Sequence, residues 1–105
     1  MRMVKQLAAA IARIMKLREA GREEEALAEA DQVWGELFGL PPGLLDSIGG
    51  PALAALLGTD GKVNAAVELL GHEAEMLARR GDAGRAARRR ELAAYLQTRG
   101  PKGSD

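Results

Sequence analysis

Residues 17–38 read LREAGREEEALAEADQVWGELF, and this stretch decides the fold. Ala26, Leu27, Ala30, Val33, Trp34, Leu37 and Phe38 recur at intervals of three and four, which places them on one face of a helix. Glu25, Glu29, Asp31, Gln32 and Glu36 fall on the other face. Gly21 stands where a preceding helix ends, since glycine enters the left-handed region without a Cβ clash. Glu23, Glu24 and Glu25 follow in the first turn of the next helix, where the backbone dipole favours negative charge. The stretch is therefore a helical hairpin. It says nothing of a reaction.

Upstream, Val4, Leu7, Ile11, Ile14 and Leu17 form the stripe of a first helix over about Arg2 to Ala20, with Ala8, Ala10 and Met15 widening it. Downstream, the second helix is expected to end near Gly39, because Leu40-Pro41-Pro42-Gly43 removes backbone donors and drives the chain out of helical space. Short helical pieces follow, around Leu44–Ile48 and from Pro51 to Leu57, too short to persist unless they dock on longer helices. Thr59 or Asp60 caps a fourth segment, Lys62 to Arg80, with Val63, Val67, Leu70, Ala74 and Leu77 on one face and Ala66, Leu69 and Met76 beside it. Gly71 costs that helix roughly 1 kcal/mol against alanine and is expected to mark a close helix crossing. Gly81 ends the segment, and Asp82 caps a last helix from Ala83 to about Thr98. That helix sets Ala86, Ala87, Ala93, Ala94 and Leu96 against a run of arginines.

These patterns predict an all-α fold of two antiparallel helical hairpins joined by a connector of short helices. Residues 1–99 form a single domain, and 100–105 a disordered polar tail. A chain of 105 residues buries on the order of 65% of its unfolded surface and needs neither disulfide nor metal. The expected core is Leu7, Ile11, Ile14, Leu17, Leu27, Val33, Leu37, Val67, Leu70 and Leu77, with Trp34 largely buried. Absence of cysteine fits a reducing cytoplasm, and no apolar run approaches the ~20 residues that span a bilayer. A soluble, unprocessed, cytoplasmic protein without membrane contact is expected.

The net charge is zero, yet the charges are segregated. Residues 1–17 carry four basic groups and no acidic ones, residues 18–37 carry seven acidic groups, and from Gly71 onward eight basic groups face five acidic.

The two hairpins align at an offset of 60: Leu17 on Leu77, Gly21 on Gly81, Ala26 on Ala86, Val33 on Ala93. The spacing from Gly21 to Ala26, and from Gly81 to Ala86, resembles the second half of a tetratricopeptide (TPR) motif. There a glycine ends one helix, and a small residue five positions later lets the next helix cross it closely. The upstream TPR positions fall on Ala10, Arg13 and Ile14, which do not match, and the period exceeds the usual 34. The chain is TPR-like, and it is similar in layout to small bacterial helical proteins of unassigned function. That resemblance implies a helical fold and a tendency to bind partners, and it supplies no site residues.

Catalytic material is sparse. His72-Glu73-Ala74-Glu75-Met76 begins like a metalloprotease motif, but Met76 stands where the second histidine belongs, and His72 is the sole histidine. Glu68 and His72 share a helix face, where a surface carboxylate beside an imidazole is the simpler reading than a metal contact. Gly49-Gly50-Pro51 lacks the lysine and hydroxyl residue of a phosphate loop. No enzyme activity, cofactor or metal is expected. The arginines Arg79, Arg80, Arg85, Arg88, Arg89 and Arg90 gather about one hairpin tip. Arg85, Arg88, Arg89 and Arg90 are the candidate partner-binding residues. As a solvated face the cluster would pair with Asp82, Glu75 and Glu91, and as an internal or dimer contact it would meet the acidic second helix. Nucleic-acid binding through Arg79–Arg90 is the alternative, disfavoured by near-neutral charge and the lack of interleaved aromatics. The leading expectation is a non-enzymatic protein-interaction module whose partner is unknown. Self-association as a homodimer is also expected, through Met3, Met15, Phe38 and Leu40 and through the segregated charges.

Overall fold

A computed structural model describes residues 2–99, leaving aside the side chains of residues 2–4, Pro42 and Arg99. The described residues form five α-helices: α1 (Arg2–Glu19), α2 (Glu23–Glu36), α3 (Gly50–Leu57), α4 (Asp60–Arg79) and α5 (Ala83–Arg99). A 3₁₀ turn, Pro42–Asp46, precedes α3. There is no strand among the described residues, and the fold is all-α. No described helix is long and apolar enough to cross a membrane. The expected tail at 100–105 lies outside the described residues, as do the side chains of Met3 and Val4.

α1 packs on α2 and α4 on α5, each pair joined by a glycine turn of three residues. The two turns are built alike. Arg22 N–H donates to Leu17 O and Asp82 N–H to Leu77 O, both at 2.9 Å, while Gly21 and Gly81 donate to Arg18 O and Ala78 O, both at 3.1 Å. Gly21 (φ 79°) and Gly81 (φ 87°) are left-handed. This is the six-to-one and five-to-two bonding that closes a helix on a glycine and satisfies its last carbonyls. Ala26 and Ala86, five residues on, are fully buried.

Several boundaries move for local reasons. α2 stops at Glu36 rather than near Gly39, because Leu37, Phe38 and Leu40 already turn back to bond Val33 O and Trp34 O, with Gly39 left-handed. α4 begins at Asp60, two residues early: Thr59 Oγ1 accepts from Lys62 N–H at 3.3 Å and is the cap. α3 begins at Gly50, where a Cβ would come within 2.5 Å of Tyr95 Cγ, so this glycine admits the α5 ring. Gly71 is the reverse case. A Cβ there meets nothing within 4 Å, and the expected close crossing does not exist.

The core joins α4 to all other helices, which pack around it. Leu7, Ile11, Ile14, Val33, Leu70 and Leu77 are buried as expected, and Trp34 completely so. Leu17, Leu27, Leu37 and Val67 are only half-buried and flank the core, while Ala8 and Met15 face solvent. The core extends instead into Leu45, Leu53, Leu69, Met76, Leu92 and Leu96. α4 is covered on more than one side, so it buries Val63, Ala66, Leu69, Leu70, Ala74, Met76 and Leu77, wider than one stripe. On α5 the buried line is Ala86, Arg89, Leu92 and Leu96, not the alanine face: Ala87 and Ala94 are exposed. An arginine therefore occupies a core position.

Candidate functional site

Arg89 is 1% exposed, and its guanidinium is divided between two carboxylates. Its Nε–H donates to Glu73 Oε1 at 3.1 Å, and Nη1 donates to Asp46 Oδ1 at 2.9 Å. Glu73, itself 1% exposed, also accepts the indole N–H of Trp34 at 3.2 Å on each oxygen. Four elements thus meet through four side chains: α2 (Trp34), the 3₁₀ turn (Asp46), α4 (Glu73) and α5 (Arg89). Burial of a lone charge is prohibitive, and here every member has a partner, which makes the arrangement tolerable.

Electrostatics inside the cluster are uneven. Burial pushes the Glu73 carboxyl up to about 7, although Arg89 and the Trp34 N–H pull the other way; Asp31, on α2, raises it further. Asp46 is 43% exposed at its side chain. Burial raises its pKa, but Arg89 and Arg85 together outweigh that and hold it below the ordinary carboxylate value. Asp31 is raised by burial against the opposing pull of Arg85 and Arg89.

The remaining arginines are mostly engaged within the molecule. Arg85 Nε donates to Asp46 Oδ1 at 3.2 Å, and its backbone N–H donates to Asp82 Oδ1, which caps α5 as expected. Arg88 Nη2 donates to Ile48 O at 2.8 Å. Arg79 and Arg80 reach Glu23 and Glu24 of the acidic second helix, at 2.7 and 3.4 Å. Of the four candidate partner-binding residues, Arg85, Arg88 and Arg89 therefore grip the connector. Only Arg90 is exposed without a side-chain bond to any described residue. The expected pairing with Glu75 and Glu91 is replaced: Glu75 pairs with Arg18.

His72 meets Arg18. Arg18 Nη1 lies 2.7 Å from His72 Nδ1, so Nδ1 accepts and the imidazole is neutral. Burial first, then Arg18, lowers its pKa, with Glu68 opposing. No group of three His, Cys, Asp or Glu side chains gathers for a metal among the described residues. Ser47 Oγ donates to Leu44 O at 3.4 Å. For self-association, Leu40 is buried and Phe38 half-buried against the Trp34 ring at 4.7 Å. Among the described residues the exposed large apolar side chains are Met15 and Leu56.

Within the HExxH-like string Glu73 reads as part of a metal motif, which hides its place in the core. Its spacing held the signal: it falls at the core register of α4, three and four residues from Leu69, Leu70, Met76 and Leu77. A carboxylate at such a position calls for a buried cation. Compared with models of protein families, with curated proteins and with solved structures, the chain matches none of them.

Proposed function

We propose that the chain is a non-enzymatic, TPR-like protein-interaction module that works in the cytoplasm. The observation that carries this reading is the matched pair of glycine turns, with hydrogen bonds of equal length and a fully buried alanine five residues beyond each glycine. A scaffold of stacked hairpins spends its sequence on geometry, and the buried polar groups follow that use. Glu73 and Arg89 are closed to any substrate and hold helices together. The nucleic-acid alternative loses support because five of its six arginines already bond acidic side chains or a carbonyl. A dimer held by the acidic helix and the arginine tip loses support in the same way, since Arg79 and Arg80 bond Glu23 and Glu24 of their own chain.

Affinity capture from the native cell extract, followed by titration with the recovered partner in pure form, tests the reading. Saturable binding to a protein supports it. A labelled single- or double-stranded nucleic acid that binds instead, with affinity falling steeply as salt rises, would overturn it in favour of the basic cluster.

A further inference from the structure

Residues 37–59 connect the hairpins, and little in them stands alone. The 3₁₀ turn and α3 are shorter than any helix that persists in water, and α3 (GPALAALL) carries no polar side chain. The connector docks by burying Leu45, Ile48, Leu53 and Leu57, and by three arginines of α5, Arg85 and, one turn on, the adjacent Arg88 and Arg89. Arg85 and Arg89 hold Asp46, and Arg88 holds the carbonyl of Ile48. Arg89 is the member with a second obligation, because Glu73 bonds the same guanidinium from α4.

We propose that the connector is a latch closed by a proton on Glu73: with Glu73 neutral, Arg89 serves Asp46 and the turn is held, and with Glu73 ionised two carboxylates divide one guanidinium and the connector lifts more readily. Opening moves Asp46 away from Arg89 and withdraws four apolar side chains from the core, which gives Arg89 wholly to Glu73 and admits water to the pair. Both changes favour the ionised carboxylate in the open form. The closed form therefore holds the proton more tightly, so docking is fully present at low pH and weakens as pH rises through the closed-state value of about 7. Asp46 stays ionised through that window because the two arginines keep its pKa low.

Other charged groups around Glu73 do not replace this balance. α2 contributes Asp31, which raises the carboxyl pKa, and the Trp34 N–H, which lowers it. α5 contributes Arg89, with Arg85 behind it on Asp46. α3 has no titratable side chain. On α1, Arg13 pairs with Glu29, and Arg18 with His72 and Glu75. Linkage is reciprocal: each unit by which docking raises the Glu73 pKa is a tenfold change in docking between the two protonation states.

Amide hydrogen exchange over Leu44–Leu57, with rates divided by the intrinsic rate at each pH, reads the latch directly. Between about pH 6 and about pH 8.5, wild-type protection in these peptides should fall about tenfold, and further than protection in Leu7–Ile14 of α1. Glu73→Gln should keep the connector protected across the range. Asp46→Asn, at a half-exposed side chain, should lower connector protection at every pH. It should also move the Glu73 titration, followed by carboxyl ¹³C shift, to lower pH. A flat wild-type connector would overturn the proposal, as would a Glu73→Gln connector that loosens in step with wild type. If Glu73→Gln does not fold, the Asp46→Asn titration decides: a midpoint unmoved from wild type overturns it.

Discussion

Glu73 accepts the Nε–H of Arg89 at 3.1 Å across a separation of sixteen residues, and Arg13 meets Glu29 across the same separation in the first hairpin with the charges exchanged. Arg13 and Glu29 align with Glu73 and Arg89 at the same sixty-residue offset as the glycine turns. The first pair lies in solvent, with Arg13 60% exposed; the second is enclosed by Trp34 and Asp46. One geometric position thus serves as a screened surface contact in one hairpin and as a buried tie in the other.

The two pairs should respond differently to truncation. Arg13→Ala is expected to cost less than about 1 kcal/mol, as exposed ion pairs do. Arg89→Met leaves an uncompensated buried carboxylate and should cost about 3–5 kcal/mol above the Glu73 pKa, less below it where the carboxyl is neutral. Chemical denaturation at two pH values measures both.

Glycines separate backbone need from habit. At Gly81 the left-handed φ of 87° makes alanine costly by about 1–2 kcal/mol, although open space surrounds the Cβ. Gly71 is helical, and its Cβ would also meet open space, so Gly71→Ala should stabilise by about 1 kcal/mol. Thermal denaturation should shift in opposite directions for the two variants.

Trp34, the sole tryptophan, is fully buried and bonded to the Glu73 carboxylate. Its native emission should be blue-shifted and move red on unfolding. Emission should also change as Glu73 titrates, and Glu73→Gln should abolish that step. Native emission at the water-exposed wavelength would contradict the packing.

Stability should depend on pH with a definite sign. The folded Glu73 pKa is raised from 4.5 to about 7, so its contribution is fully present below 4.5 and is lost as pH rises through about 7. The loss is on the order of 3 kcal/mol. His72 acts oppositely: its pKa is lowered from 6.5, so its contribution is lost as pH falls below that value. Glu73→Gln should remove the first slope and leave the second, as read from urea midpoints across pH.

Helix order, both glycine turns, the Asp82 cap and the burial of Trp34 were legible in the sequence, because each follows from local rules of spacing and backbone freedom. Arg89 was not. A pattern that counts apolar residues cannot place an arginine in the core, and its partners lie 16 and 43 residues away. The short helices of the connector were legible, but how they dock was not, since Asp46 and Ile48 are fixed by arginines on α5 rather than by any local propensity. Leu17, Leu27, Leu37 and Val67 share the right periodicity but sit at the margins of their stripes, where only the crossing of neighbouring helices decides burial.

A double-mutant cycle between Glu73→Gln and Arg89→Met, measured by urea denaturation above the Glu73 titration, tests most directly whether the arginine cluster is built inward. The buried tie predicts a coupling of about 2 kcal/mol that shrinks when the pH is lowered until Glu73 is neutral. A coupling within about 0.3 kcal/mol of zero at the higher pH would contradict it and return Arg89 to the solvated face of α5.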